Sequence, residues 1–147
     1  MRSLFNSDDR ANLCHRLDGL TQNSKPQWGK MDCPQMLAHI SDGIRMALGE
    51  LPVQSKGGPL RFAPLRHAII YWLPFPKGAP TAPELLERRV EDCSREIADL
   101  KDLIERCAAS AGTAQWSEHP AFGQLSERDW GTLIYKHIDH HLRQFGV

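Results

Sequence analysis

Apolar residues recur at helical spacing along most of the chain, and this pattern predicts an all-α protein. The C-terminal segment shows it most clearly. Ser126 and Asp129 have the spacing of a capping box at a helix start. Trp130 begins an apolar stripe, and Gly146 follows its end as a stop signal. The pattern predicts a helix over about 127–145.

A second long helix is predicted to begin at Thr81, which has capping-box spacing to Glu84. Apolar residues then alternate at spacings of four and three, as along the seam of a helix bundle: Leu86, Val90, Cys93, Ile97, Leu100, Ile104, Cys107 and Ala111. Three acidic residues precede basic ones by four positions, at Glu84/Arg88, Glu91/Arg95 and Asp102/Arg106. We interpret these charges as a solvated outer face rather than a functional site.

Two helices are predicted in the first third of the chain. One runs from Asn6 to Leu20, and the other follows Asp32 and ends near Gly49. Apolar residues share one face of each: Leu13, Leu17 and Leu20 in the first, and Met36, Ile40, Ile44 and Ala47 in the second. These segments complete a predicted four-helix bundle.

The connection between the second and third of these helices, Leu51 to Pro80, is long and rich in Gly and Pro. A short helical piece is expected around Arg61 to Leu73. Such a crossover lets a bundle depart from simple up-and-down order. Because no repeat or composition boundary divides the chain, we predict a single domain over residues 1–147.

The charge balance narrows the choice of partners. Lys and Arg total 18, as do Asp and Glu, which argues against a broad basic surface for nucleic acid or an anionic membrane. Met1 to Arg10 has no signal-peptide core, so a cytoplasmic protein is expected. The four cysteines form no Cys-x-x-Cys pair, and we interpret them as reduced, packed thiols: Cys14, Cys33, Cys93 and Cys107.

Candidate metal chemistry lies in the last predicted helix. His137 and His141 are four residues apart, so their rings stack on one face, within reach of a single metal ion. They share the face that is otherwise apolar. A pair of hydrogen-bonded core histidines is the competing interpretation. His39 lies on the edge of an apolar face, and taken alone it is more typical of a packed or exposed histidine than of a ligand.

Residues at both ends of the chain resemble the DinB-like superfamily. The stretch Trp28-Gly29-Lys30-Met31, leading into Gln35-Met36-Leu37-Ala38-His39, resembles its first histidine helix. The tail from His137 to Gln144 resembles its last helix. An uncharacterised branch of the superfamily is closer still, since it shares the His119-Pro120-Ala121-Phe122-Gly123 loop and the Trp130-Gly131 pair. The matching segments cover about half of the chain.

The resemblance implies a four-helix bundle that holds a divalent metal, usually zinc or nickel. By position the ligands would be His39, His137 and His141. Three imidazoles leave a coordination position open for water or a substrate atom. Relatives by resemblance include transferases and isomerases that use a low-molecular-weight thiol, and others proposed as metal-dependent hydrolases. A homodimer is expected by analogy.

Two functions follow as hypotheses. In the first, the chain is an enzyme that activates water or a small thiol at the three-histidine site for attack on a small-molecule substrate. In the second, it is a non-catalytic metal-binding or dimerisation module, with the apolar segment around Ile69 to Phe75 facing a partner chain. His140 is interpreted as a surface or supporting group, and His119 as packing its loop or lining a substrate pocket.

Overall fold

Five α-helices and three short helical turns form the fold in the computed structural model, which describes all 147 residues. The α-helices are α1 (Ser7–Leu17), α2 (Cys33–Ala47), α3 (Ala63–His67), α4 (Cys93–Ala109) and α5 (Glu127–Gln144). Turns of 3₁₀ helix lie at Pro59–Arg61 and Pro83–Leu86, and a π turn lies at Ala68–Trp72. One isolated bridge between His119 and Gly123 is the only β pairing, so the all-α prediction is confirmed.

The four long helices pack around one hydrophobic core. α1 contacts α4 and α5, and α2 also contacts both of these helices. Twenty-nine buried hydrophobic residues form a single connected cluster, so all four helices share one core. The contact between α2 and α5 matters most for function, because it places an early segment of the chain against the last helix.

Three of the predicted helix starts are confirmed by their caps. The side chain of Asn6 accepts a hydrogen bond from the Asp9 amide at 3.0 Å. The side chain of Asp32 accepts one from the Gln35 amide at 2.8 Å. At the start of α5 the capping box is complete, since side chain and backbone bond in both directions. Each cap satisfies an amide that the first helical turn leaves free.

The predicted helix start at Thr81 is wrong, because α4 begins twelve residues later, after Asp92. The Asp92 side chain caps this helix by accepting from the Arg95 amide at 3.1 Å. Between Pro83–Leu86 and α4 the chain is not helical, which lets Arg88 fold back onto Glu96. In one continuous helix these two residues would lie about 12 Å apart along the axis.

The interpretation of the charge pattern as a solvated face holds for four of its six residues, whereas Glu84 and Arg88 are half-buried. Arg88 faces inward, and Arg106 pairs with Glu50 rather than with a neighbour on its own helix. Arg95 lies 3.9 Å from Asp99, one helical turn further on. None of the three predicted pairs forms. Arg88 and Arg106 pair with residues of other elements, and Arg95 is nearest to Asp99 on its own helix.

The crossover, residues 51–80, lies against α5 and contains the short helical piece that the sequence predicts. Lys136 on α5 donates to the backbone carbonyls of Ile69, Ile70 and Leu73 at the end of the π turn. These carbonyls have no partner within their own helix, so the ammonium group satisfies them. The crossover is thereby fixed to α5 beside the histidines.

Two further sequence expectations concern the membrane and the cysteines. None of the helices combines the length and the apolar character that crossing a bilayer requires. All four cysteines are free, and only Cys14 is partly exposed. Burial raises the pKa of the Cys33 and Cys107 thiols to about 12, which keeps them protonated and unreactive.

Candidate metal centre

Three histidines from two helices meet where α2 lies against α5. His39 comes from α2, and His137 and His141 come from successive turns of α5. The Nε2 atoms of His39 and His137 are 2.8 Å apart, and those of His137 and His141 are 3.2 Å apart. The structure thus brings together the three residues that the DinB-like resemblance selects.

The position of His39 is fixed by a backbone carbonyl. Its Nδ1 lies 3.3 Å from the carbonyl oxygen of Leu85, in the 3₁₀ turn before α4. Because a carbonyl only accepts, Nδ1 carries the proton and donates it. Burial lowers the pKa of His39, so the ring is neutral and its Nε2 keeps a free lone pair. The residue is 4% exposed, rather than at the edge of the helix face as the sequence indicates.

His141 is oriented through Gln144, a buried residue one turn further on. The Gln144 amide nitrogen donates to the carbonyl of Trp28 at 2.7 Å, so its oxygen faces His141. That oxygen accepts from His141 Nδ1 at 2.8 Å, which leaves Nε2 unprotonated in the neutral ring. Burial lowers the pKa of His141 to about 3. Gly29 permits this contact, because a side chain there would meet the Gln144 amide.

His137 occupies the middle of the group. Burial lowers its pKa well below the usual value, and the neighbouring His39 and His141 lower it further. Its ring lies against Gly43 of α2, where an added Cβ would be only 3.3 Å from His137 Cε1. Glycine at this position therefore lets the ring pack directly on the helix backbone.

The donor set fits a divalent metal ion. The Nδ1 atoms of His39 and His141 donate hydrogen bonds, so the Nε2 atoms of these neutral rings carry no proton. Neutral His137 has a single ring proton, so it can donate to only one of those two Nε2 atoms. A bound cation would offset the repulsion between nitrogen lone pairs that converge in this way. Nitrogens that share one tetrahedral ion at about 2.0–2.1 Å lie about 3.3 Å apart, close to the observed 2.8 and 3.2 Å. The geometry of the three nitrogens is therefore that of a group that could hold a metal ion.

The three histidines open into a cavity of about 970 Å³. Its walls come from the loop before α2, the crossover, the His119 loop and α5. Trp28, Phe75 and Trp130 contribute aromatic surface. A volume of this size accommodates a small organic molecule next to the imidazoles.

His140 stays outside the three-histidine group, as predicted. Its ring centroid lies 5.3 Å from that of His141, and its ring packs edge-on against Trp28 and Phe75. It lines the cavity instead. His140 is therefore a neighbour of the three histidines that packs against the aromatic wall.

His119 organises its own loop and also lines the cavity. Its Nδ1 accepts hydrogen bonds from the amides of Ala121 and Phe122, each at 3.1 Å, so the residue organises its own loop. The neutral ring must then carry its proton on Nε2. Burial lowers the pKa of His119 to about 4. The residue also lines the cavity, in a loop that bonds to the crossover through the Pro120 carbonyl.

Below His39, a buried ion network joins α2 to α4. Arg88 donates to Asp42 at 2.9 Å and to both oxygens of Glu96, at 2.9 and 2.6 Å. Ser41 donates to the same Glu96 carboxylate at 2.7 Å. Burial alone raises the pKa of Glu96, but the hydrogen bonds from Arg88 and Ser41 outweigh it and hold the pKa below its usual value. Arg88 also bonds the carbonyl of Ala38, next to the first histidine.

Some supporting residues were not identified from the sequence. Gln144 follows His141 by three positions and so shares its helix face, which is a signal that could have been used. Leu85 contributes only a backbone carbonyl, and Gly43 contributes only the lack of a side chain. Neither of these leaves a chemical signature in a single sequence.

Fold and site together define an all-helical protein with a three-histidine group able to hold a metal ion. Comparison with protein families then places the chain. It belongs to the family described as protein of unknown function (DUF1569), whose model matches residues 2–146. Comparisons with curated proteins and with solved structures give no match.

Proposed function

We propose that this protein is a divalent-metal-dependent enzyme that acts on a small molecule, with His39, His137 and His141 as metal ligands. The observation that carries the proposal is the convergence of three neutral imidazole Nε2 atoms at the wall of a cavity. The reaction classes we propose are hydrolysis and transfer of a low-molecular-weight thiol. Both need an open coordination position, which a three-ligand site provides.

We also propose that the family is a DinB-like branch with a four-helix bundle. Four long helices share one core, and a long crossover separates α2 from α4. The early helix contributes one histidine and the last helix contributes two, four residues apart. These features support the DinB-like assignment, and with it the choice of zinc or nickel.

The chain's own residues have defined tasks in this mechanism. Leu85 and Gln144 hold the rings of His39 and His141 so that Nε2 faces inward. The aromatic and aliphatic walls exclude water from the substrate's apolar part. His119 donates its Nε2 proton in a hydrogen bond to a polar substrate atom. A bound divalent ion supplies Lewis acidity, which lowers the pKa of water or a thiol or polarises a carbonyl.

Metal analysis tests the proposal directly. Protein purified without a metal-chelating tag is expected to contain about one equivalent of zinc or nickel by elemental analysis. His39→Ala and His137→Ala are each expected to lose it, because two imidazoles hold a divalent ion far less tightly than three. His140→Ala is the matched control and should retain the metal, since His140 lies outside the group.

Circular dichroism shows whether each variant remains helical, so that loss of metal is not confused with loss of fold. A wild-type protein that contains no metal and takes up none on dialysis against zinc or nickel salts would overturn the proposal. Metal retained by a folded His137→Ala variant would overturn the ligand assignment.

Replacing Gln144 with leucine is expected to weaken metal binding by about 10- to 100-fold, because His141 loses the partner that fixes its tautomer and orientation. Competition with a chromophoric chelator measures the change. Gln35→Leu is the control, since Gln35 also lines the cavity but bonds none of the three rings. Equal affinities in the two variants would show that Gln144 has no part in metal binding.

A non-catalytic module that pairs with a second copy of the chain is the other candidate function. Exposed apolar side chains on the crossover favour it, since Phe62 is 68% exposed and Trp72 is 73% exposed. A structural ion would be needed for the fold, whereas an enzyme of this architecture keeps its core without one. Helical signal that persists after treatment with EDTA therefore supports the enzyme, and unfolding supports the module.

A further inference from the structure

The orientation of His39 depends on an atom of another element. Its Nδ1 bonds the carbonyl oxygen of Leu85 in the 3₁₀ turn Pro83–Leu86, which packs against α2. This hydrogen bond places the ring proton on Nδ1 and leaves Nε2 facing His137. The turn must therefore keep its position on α2 for His39 to act as a metal ligand.

The chain after this turn has little backbone structure to hold it. Residues 87–91 belong to no helix, and none of the amides of residues 88–91 donates to another backbone group. Among these residues, only Arg88 has a side chain that forms hydrogen bonds with the rest of the bundle. Arg88 is therefore the point at which this segment is attached.

The guanidinium of Arg88 spans the turn of α2 that carries His39. Its Nη2 donates to the Ala38 carbonyl at 3.3 Å, and its Nε donates to Asp42 at 2.9 Å. Ala38 precedes His39 by one residue, and Asp42 follows it by three. Two further hydrogen bonds reach the Glu96 carboxylate on α4. Four of the five N–H donors of the guanidinium are thus engaged, which fixes its plane.

Leu85 and Arg88 therefore hold one short piece of chain against α2 at two points, three residues apart. We propose that Arg88 is a positioning residue of the metal centre, because its attachment to α2 keeps the Leu85 carbonyl on His39 Nδ1. This inference goes beyond the proposed function and rests on it, since it takes His39 to be a ligand. A purely structural network would change the stability of the bundle but not the state of the His39 ring.

A triple variant tests the proposal without leaving unpaired charges in the network. Arg88→Met is combined with Asp42→Asn and Glu96→Gln, so that all three positions are neutral. In EDTA at about pH 7.5, long-range ¹H–¹⁵N NMR reports which nitrogen of each neutral imidazole carries the proton. The wild-type His39 ring, assigned by its absence from His39→Ala, is expected to be protonated at Nδ1. In the triple variant the form protonated at Nε2 should appear as well.

Zinc affinity gives a second measurement on the same proteins. Competition with a chromophoric chelator should show binding to the triple variant weakened by about tenfold, as is typical when a group that orients a metal-binding histidine is lost. Arg88→Lys keeps the positive charge, but a single ammonium group cannot replace the planar guanidinium fork. It should therefore change the ring and the affinity in the same direction by a smaller amount.

Leu13→Ala is the control for lost stability, because Leu13 is fully buried in α1 and lies outside the cavity. It should leave the His39 ring and the zinc affinity unchanged. A His39 ring that stays protonated at Nδ1 alone in both folded Arg88 variants, or that changes equally in Leu13→Ala, would overturn the proposal. Because the ring is observed without metal, this outcome is independent of the metal analysis that tests the proposed function.

Discussion

Replacing Arg88 with methionine is expected to lower the free energy of unfolding by about 3–5 kcal/mol, the cost of breaking a buried ion pair from one side. Its partners Asp42 and Glu96 have side chains only 6% and 7% exposed. Without Arg88, Glu96 would keep only the Ser41 hydroxyl, and Asp42 would keep only Arg45. Urea denaturation followed by circular dichroism measures the loss.

Arg89→Met is the matched control, because its side chain is exposed and bonds to nothing. Its effect should stay within about 0.5 kcal/mol. Adding Asp42→Asn and Glu96→Gln to the Arg88 variant should restore part of the stability, since no charge is then buried. Equal stabilities of the Arg88 and Arg89 variants would contradict the role assigned to the network.

Metal-free protein is expected to lose stability as the pH falls below about 6.5. Burial holds the pKa of His119 at about 4 and of His141 at about 3, and it lowers the pKa of His39 and His137 as well. In the unfolded chain all four titrate near 6.5, so below that pH the unfolded state binds more protons. Stability therefore rises with pH across this window and is lost on acidification.

The size of this effect is about 1 kcal/mol for each histidine between pH 6.5 and 5.5, or roughly 3–4 kcal/mol for the four together. Urea titrations in EDTA at pH 7.5, 6.5 and 5.5 measure it. Substituting His119 with phenylalanine should reduce the pH dependence by about a quarter, whatever it does to stability itself. Stability that does not change between pH 7.5 and 5.5 would show that the rings are not held neutral.

Local signals in the sequence were sufficient for most of the helices. Asn6, Asp32 and Ser126 cap helices through amides three residues away, so their effect is readable from spacing alone. The start of α4 has a cap of the same spacing, Asp92 to the Arg95 amide, but Thr81 offers a competing signal, and the choice between the two is not local. It depends on Arg88 meeting Asp42, which lies 46 residues earlier in the chain.

The candidate site, too, is only partly predictable from local sequence patterns. The spacing of His137 and His141 placed both rings on one helix face, whereas His39 was selected only by the DinB-like resemblance. The cavity could not be predicted, because its walls come from segments that are far apart in sequence.

Lys136 attaches the crossover to α5 through backbone atoms alone, so side chains of the crossover can be changed without breaking the attachment. Lys136 bonds three backbone carbonyls, and any residue type at Ile69, Ile70 or Leu73 would present the same atoms. Side chains on this wall can therefore be exchanged while the attachment beside His137 stays in place. Libraries randomised at Ile69 and Leu73, which both line the cavity, offer a route to new ligand preferences on an unchanged three-histidine centre.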